Sequence, residues 1–299
     1  MIGPEPREYV PYRKEVKMEL TRKSIQEQQN AFLQAGYRLP AFDYDKVKAA
    51  TDAAPTWIHF GAGNIFRAFQ CNVLQNLLNQ GAADTGLIAV EGFDYEIIEK
   101  MYWPHDNLSI LATLKADNTV EKTIVGSITE SLILDSGNQS QYDRLKQIFA
   151  APSLQMASFT ITEKGYALTD ARGNILPAIA EDYKKGPGVN GSPAPDSYLG
   201  KVVSLLYHRY VSGRKPLAMV SMDNCSHNGD KLAAAVWAFA DAWCENGLAE
   251  AGFCRLCERP SGRVLSLVHD RQNHSQTRRQ GGGPAQSGWH SGTGCRRHQ

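Results

Sequence analysis

The chain has 299 residues, 42% of them hydrophobic, and a net charge of +1. That length suffices for one large or two ordinary domains, and the near-neutral charge gives no electrostatic case for a nucleic-acid partner or an anionic membrane surface. No apolar run approaches the roughly 18 residues needed to span a bilayer, and six irregularly spaced cysteines do not make a disulfide framework in a chain this long.

Residues 1–17 are polar, carry Pro4, Pro6 and Pro11, and lack the apolar core of a secretory signal, so the cytoplasm is the expected compartment. Residues 1–38 read as a lead-in with one helical stretch from Lys23 to Leu33. The first strongly patterned segment is Trp57-Ile58-His59-Phe60-Gly61-Ala62-Gly63-Asn64-Ile65-Phe66-Arg67, in which an apolar β-type run enters a Gly-x-Gly turn and an amphipathic helix leaves it. The first glycine permits a tight turn and the second lets a phosphate approach the backbone. The helix N-terminus adds free N–H groups and a positive dipole end. Gly61, Ala62, Gly63, Asn64, Ile65, Phe66 and Arg67 are therefore candidates for cradling a dinucleotide pyrophosphate. Ile65, Phe66, Phe69, Val73, Leu74, Leu77 and Leu78 follow at helical spacing as far as Gln80, a stripe that core packing explains in full.

A second apolar run, Leu87-Ile88-Ala89-Val90, ends in Glu91. An acid at the end of strand two accepts hydrogen bonds from an adenosine ribose and disfavours a 2′-phosphate, which favours NAD over NADP. Glu91 stands about ten residues further from the glycines than the usual figure of about 20, and Asp94 is the alternative. Ser109 to Leu114 and Thr123 to Ile128 read as strands around an Asp117-Asn118 turn. A helix from Tyr142 to Phe149, a buried strand from Met156 to Thr162, a glycine-rich loop over 186–193, a helix from Ser197 to Tyr210 and a strand from Leu217 to Met222 follow. Strands alternating with helices predict an α/β fold with a doubly wound parallel sheet.

Ligands of such sheets bind beyond the carboxyl ends of the strands. That rule selects Thr162 and Glu163 after one strand, and Asp223 and Asn224 after another. An asparagine there can donate an N–H to a carbonyl oxygen that gains negative charge as hydride arrives. Capping of the following helix by Asp223 and Asn224 is an equal alternative. From Asp230 to Gly252 the pattern turns helical, with Leu232, Val236, Trp237, Phe239, Trp243 and Leu248, and a second domain is expected to open there.

Three clusters in this order, Gly61-x-Gly63-x-x-x-Arg67, Thr160-x-Thr162-Glu163-Lys164-Gly165-Tyr166, and Asp223-Asn224 followed by Asn228-Gly229, resemble the long-chain mannitol dehydrogenase family over about residues 39–253. The resemblance implies an NAD-dependent oxidoreductase of polyols or sugar acids. Its fold would be a Rossmann-type domain (39–229) followed by an α-helical substrate domain, of which residues 230–253 would be the start. It also implies Asn224 as an asparagine that polarises the substrate oxygen. The general base would be a lysine in a Lys-x4-Asn-x2-His pattern, its pKa lowered by burial and neighbouring charge. No such pattern occurs here, and the last lysine is Lys231. Lys164 follows a strand of the nucleotide domain and does not match that position.

Residues 254–299 differ in kind. The fifteen lysines all lie upstream, whereas the tail carries eight arginines, four of the eight histidines, and no Ile, Phe or Tyr. That is the vocabulary of GC-rich coding DNA read out of frame. A shift near Phe253 is expected, with loss of the catalytic lysine, a structureless tail and an inactive chain. A rival reading takes Cys254-x2-Cys257-x11-His269-x4-His274 as nearly a Cys2His2 zinc site on a catalytically dead dinucleotide-binding or regulatory protein.

Overall fold

The computed structural model describes residues 18–189 and 191–257. The lead-in forms helices α1 (Arg22–Glu27) and α2 (Gln29–Gln34), broken at Gln28, whose φ of −123° leaves the helical region. The two-residue strand β1 (Tyr37–Arg38) and helix α3 (Tyr44–Ala53) follow. Strand β2 (Trp57–Phe60) leads through Gly61-Ala62-Gly63 into α4 (Asn64–Ala68) and α5 (Gln70–Asn79), and then β3 (Leu87–Glu91). A π-helical turn (Ile97–Tyr102) and a 3-10 turn (Trp103–His105) precede β4 (Ser109–Leu114), β5 (Val120–Val125) and β6 (Ile128–Ile133). Next come α6 (Gln139–Ala150), β7 (Met156–Phe159), α7 (Thr162–Gly165), α8 (Pro177–Lys185) and α9 (Tyr198–Val211). Strand β8 (Ala218–Ser221), α10 (Asn228–Glu245) and α11 (Ala251–Cys257) complete the described chain.

The main sheet has the order β6-β3-β2-β7-β8, parallel at every pairing. Its strands are continuous apolar runs because helices cover both faces. One face, with Ile58, Phe60, Val90 and Phe159, packs on α6, α9 and α10. The other, with Leu87, Ala89 and Ile128, packs on Phe66, Leu74 and Leu78 of α4 and α5. Strand order reverses beside β2, so the chain leaves β2 and β7 in opposite directions and opens a crevice between their carboxyl ends.

The structure departs from the sequence reading in several places. The hairpin around Asp117-Asn118 exists, but its strands pair antiparallel in a separate three-stranded sheet with β1. The expected strand over Thr123 to Ile128 is two strands: β5 stops at Val125, Gly126 and Ser127 intervene, and β6 then enters the main sheet. The helix after the glycine turn breaks at Phe69, and its stripe is not explained by core packing alone. Phe66, Leu74 and Leu78 are buried, whereas Ile65, Phe69, Val73 and Leu77 lie exposed along the opposite edge. Helix α10 buries Leu232, Val236, Phe239 and Trp243 against the sheet. One disulfide, Cys244–Cys254, joins α10 to α11.

Away from the crevice, the guanidinium of Arg209 is fully enclosed and donates to the carbonyls of Phe149, Ala151, Leu154, Lys215 and Pro216. It closes the amino-terminal ends of β7 and β8. Burial lowers its pKa to about 10, which still leaves it charged at neutral pH.

Candidate active site

The turn after β2 is built by backbone strain and by two neighbouring strands. Gly61 has φ +107°, and a Cβ there would stand 2.2 Å from the Thr160 carbonyl oxygen, so no other residue fits. Its amide donates to the Val90 carbonyl at 2.8 Å. The Ala62 amide donates to Glu91 Oε2 at 2.9 Å, and Tyr102 donates its hydroxyl proton to the Ala62 carbonyl at 2.8 Å. Gly63 differs: a Cβ there would meet nothing within 4 Å, so the space above it is open. It is the N-cap of α4 and offers no side chain to the first amides of that helix.

A polar chain under the turn was not legible in the sequence. Trp57 Nε1–H donates to Ser158 Oγ at 2.7 Å, and Ser158 Oγ lies 2.7 Å from His59 Nδ1. His59 Nε2 lies 2.9 Å from Thr160 Oγ1, whose hydroxyl donates to the Gly61 carbonyl at 3.3 Å. Every group is satisfied in one direction when His59 is neutral with its proton on Nε2. The imidazole has no solvent exposure and stacks on Phe66 at 4.0 Å, and burial lowers its pKa to about 3. A lone histidine in an apolar strand reads as a packing residue, and only the alternation of Ser158 on β7 and Thr160 just past its end hints at its partners.

Glu91 is 6% exposed. Its Oε1 accepts the amides of Gly92 and Phe93, both at 2.9 Å, and Oε2 accepts that of Ala62. The carboxylate thus braces the glycine turn. Asp94, the alternative ribose reader, is exposed and its carboxylate carries no hydrogen bond. Arg67 bonds to Asn64 Oδ1 and leans over the Tyr102 ring at 5.7 Å. Both line a cavity of about 420 Å³ with Met101, His105 and Leu108. Ile65 points to solvent and Phe66 into the core.

Asp223 joins the ends of β7 and β8. Its Oδ1 accepts the Thr162 amide at 2.9 Å. Its Oδ2 accepts the Ile161 amide at 3.1 Å and the Tyr166 hydroxyl at 2.6 Å. Thr162 sits at φ +63°, a conformation that costs a non-glycine residue about 1 kcal/mol or more and that these bonds hold in place. Asp223 is therefore a positioning residue. Neither Asp223 nor Asn224 caps α10, whose N-cap residue His227 makes no side-chain capping bond; Asn228 Nδ2 instead donates to the Asp223 carbonyl at 2.7 Å. Asn224 stays exposed with its amide uncommitted. Glu163 pairs with Lys231, which lowers the pKa of its carboxyl group.

Tyr198, the first residue of α9, packs beside the end of β3. Its ring stacks on Phe93 at 4.4 Å and lies so close to Gly92 that a Cβ there would stand 2.4 Å from Tyr198 Cε2. The residue is 8% exposed, and its hydroxyl has no hydrogen-bond partner. No sequence signal marks it.

A parallel 3-2-1-4-5 sheet with a glycine turn at its switch point defines a Rossmann-type domain. Comparison with known proteins specifies it further. The family model for the mannitol dehydrogenase Rossmann domain matches residues 55–254. The D-mannonate oxidoreductase of Thermotoga maritima is 46% identical over 84% of this chain and 45% of its own length, and that of Escherichia coli 27% identical over 68% and 40%. The solved mannitol 2-dehydrogenase of Pseudomonas fluorescens, a ternary complex with NAD and D-mannitol, superposes with a TM-score of 0.58 at 26% identity, over 72% of this chain and 42% of that one. The chain belongs to the mannitol dehydrogenase family, whose members are oxidoreductases, and it spans less than half the length of these relatives.

Of the zinc reading, Cys254 is in the disulfide with Cys244 and Cys257 is buried. His269 and His274 lie outside the described residues, as does most of the tail expected to be structureless. Among the described residues, no helix is long and apolar enough to cross a membrane.

Proposed function

We propose that this chain binds NAD across the crevice between β2 and β7, and that it derives from a cytoplasmic dehydrogenase that interconverts a sugar acid and its keto form. The observation that carries this reading is the glycine turn: it is tied to β3 through Gly61 and Ala62, while Gly63 leaves open the space a phosphate needs. Gly63, Asn64 and the first amides of α4 would hold the pyrophosphate. The adenosine half would lie towards Glu91 and Asp94, and the nicotinamide half towards Thr162 and Asp223. The negative charge of Glu91 and Asp94 at the adenosine end disfavours a 2′-phosphate, which supports NAD over NADP. Bound NAD would accept a hydride from the substrate carbinol. Asn224, uncommitted at the rim, would donate its N–H to the substrate oxygen, and Asp223 would hold the β7 and β8 ends in register.

A sugar acid is favoured over a simple polyol because the relative at 46% identity is a D-mannonate oxidoreductase, whereas those named for mannitol are 26–29% identical. The Lys-x4-Asn-x2-His base is missing, and no lysine follows Lys231. Without that proton acceptor and its positioning, turnover is expected to fall by several orders of magnitude. We read the switch of composition after Phe253 as a shift of reading frame. The test is an NAD-reduction assay with D-mannonate on the purified chain, beside a version whose frame is restored after Phe253. Turnover only in the restored version is expected. Robust turnover by the chain as written would overturn the reading.

A further inference from the structure

Buried hydroxyls without partners are uncommon, since an unmade hydrogen bond in a dry site costs about 1–3 kcal/mol. Tyr198 has such a hydroxyl, and its ring lies against the residues that follow β3. Gly92 and Phe93, which its ring touches, follow directly on Glu91 at the end of β3. Burial raises the pKa of the phenol, and Glu91, Tyr166 and Asp223, all at or just past the carboxyl ends of strands, add to the rise. Glycine at position 92 is what admits the ring: any side chain there would collide with Tyr198 Cδ2 and Cε2. Glu91 is not available to satisfy the hydroxyl, because its oxygens are turned to the amides of residues 62, 92 and 93.

We infer that Tyr198 is a binding residue for the adenosine half of the dinucleotide, its hydroxyl donating to a ribose or adenylyl phosphate oxygen. This rests on the proposal that the crevice takes NAD. The stack of Phe93 on Tyr198 holds the phenol in one orientation before the ligand arrives, so little side-chain entropy is lost on binding.

The test is titration calorimetry of the purified chain with NAD, ADP-ribose and nicotinamide mononucleotide, using the native sequence, Tyr198→Phe and Gly92→Ala. Tyr198→Phe keeps the stack and removes only the hydroxyl. Its affinity for NAD and for ADP-ribose is expected to fall equally, roughly three- to tenfold, as one neutral hydrogen bond dictates. Binding of nicotinamide mononucleotide is expected to be unchanged. The Tm without ligand should stay level or rise, because an unsatisfied group has been removed. Gly92→Ala, which pushes the ring aside, should weaken ADP-ribose at least as much. If the native chain binds ADP-ribose and Tyr198→Phe binds it equally well, the inference fails while the NAD reading stands. If Tyr198→Phe lowers the Tm and leaves affinity unchanged, the hydroxyl is structural and the inference also fails. If the native chain binds neither NAD nor ADP-ribose, both fail together.

Discussion

Glu91 and Ala62 are joined at 2.9 Å through a carboxylate oxygen and a backbone amide, so the acid at the end of β3 holds the turn that follows β2. In the usual reading of this fold, an acid in that place serves the adenosine ribose. Here it fixes the glycine turn. Glu91→Gln replaces one acceptor oxygen by an N–H₂ that faces backbone donors. We predict a loss of about 1.5–3 kcal/mol, the worth of a hydrogen bond to a charged group, together with weaker NAD binding. Urea unfolding and calorimetry on the same preparation check both; unchanged stability would mean that the amides find other partners.

The helix stripe supplies a second prediction. Phe66 is fully buried against His59, while Phe69, three residues on, is 66% exposed. Phe66→Ala should cost roughly 3–5 kcal/mol. Phe69→Gln should change stability by no more than about 0.5 kcal/mol. Equal costs at both positions, measured by denaturant midpoints, would contradict the assigned faces.

The parallel, doubly wound sheet and the glycine turn were legible because apolar runs, glycines and helical spacing report backbone geometry directly. Partners of polar side chains were not. Glu91 at a strand end announces a ribose reader, and nothing local reveals that Ala62, 29 residues earlier, takes one of its oxygens. The stripe misled for a related reason: periodicity says that a helix has an apolar edge, not how wide a strip its neighbours cover. Gly126 and Ser127 hid the β5–β6 boundary because two apolar runs separated by small residues read as one. Tyr198 carries no motif at all, and its role follows from Gly92 and Phe93, which are distant in sequence.

His59 supplies a pH dependence. Its pKa is lowered to about 3 in the folded chain, against about 6.5 when unfolded. Between those values the unfolded chain holds a proton that the native chain does not, so stability falls as pH drops through this window. The contribution is fully present above pH 6.5. The slope from this residue is about 1.4 kcal/mol per pH unit, or about 2 kcal/mol between pH 6.5 and pH 5. His59→Gln, which does not titrate, isolates it: the difference in unfolding free energy between native and variant chains should shrink by that amount at pH 5. A difference independent of pH would show that His59 takes up its proton while folded.

The central claim is that the turn at Gly61–Gly63 holds a dinucleotide, and Gly63 offers the most direct test of it. Its φ of −74° suits any residue, and a side chain there meets no protein atom within 4 Å. Gly63→Glu should therefore fold as the native chain does while placing a carboxylate where the pyrophosphate would lie. Calorimetric titration with NAD is predicted to give saturable one-to-one binding by the native chain and none by Gly63→Glu at equal Tm. No binding by the native chain, or equal binding by both, would contradict the account.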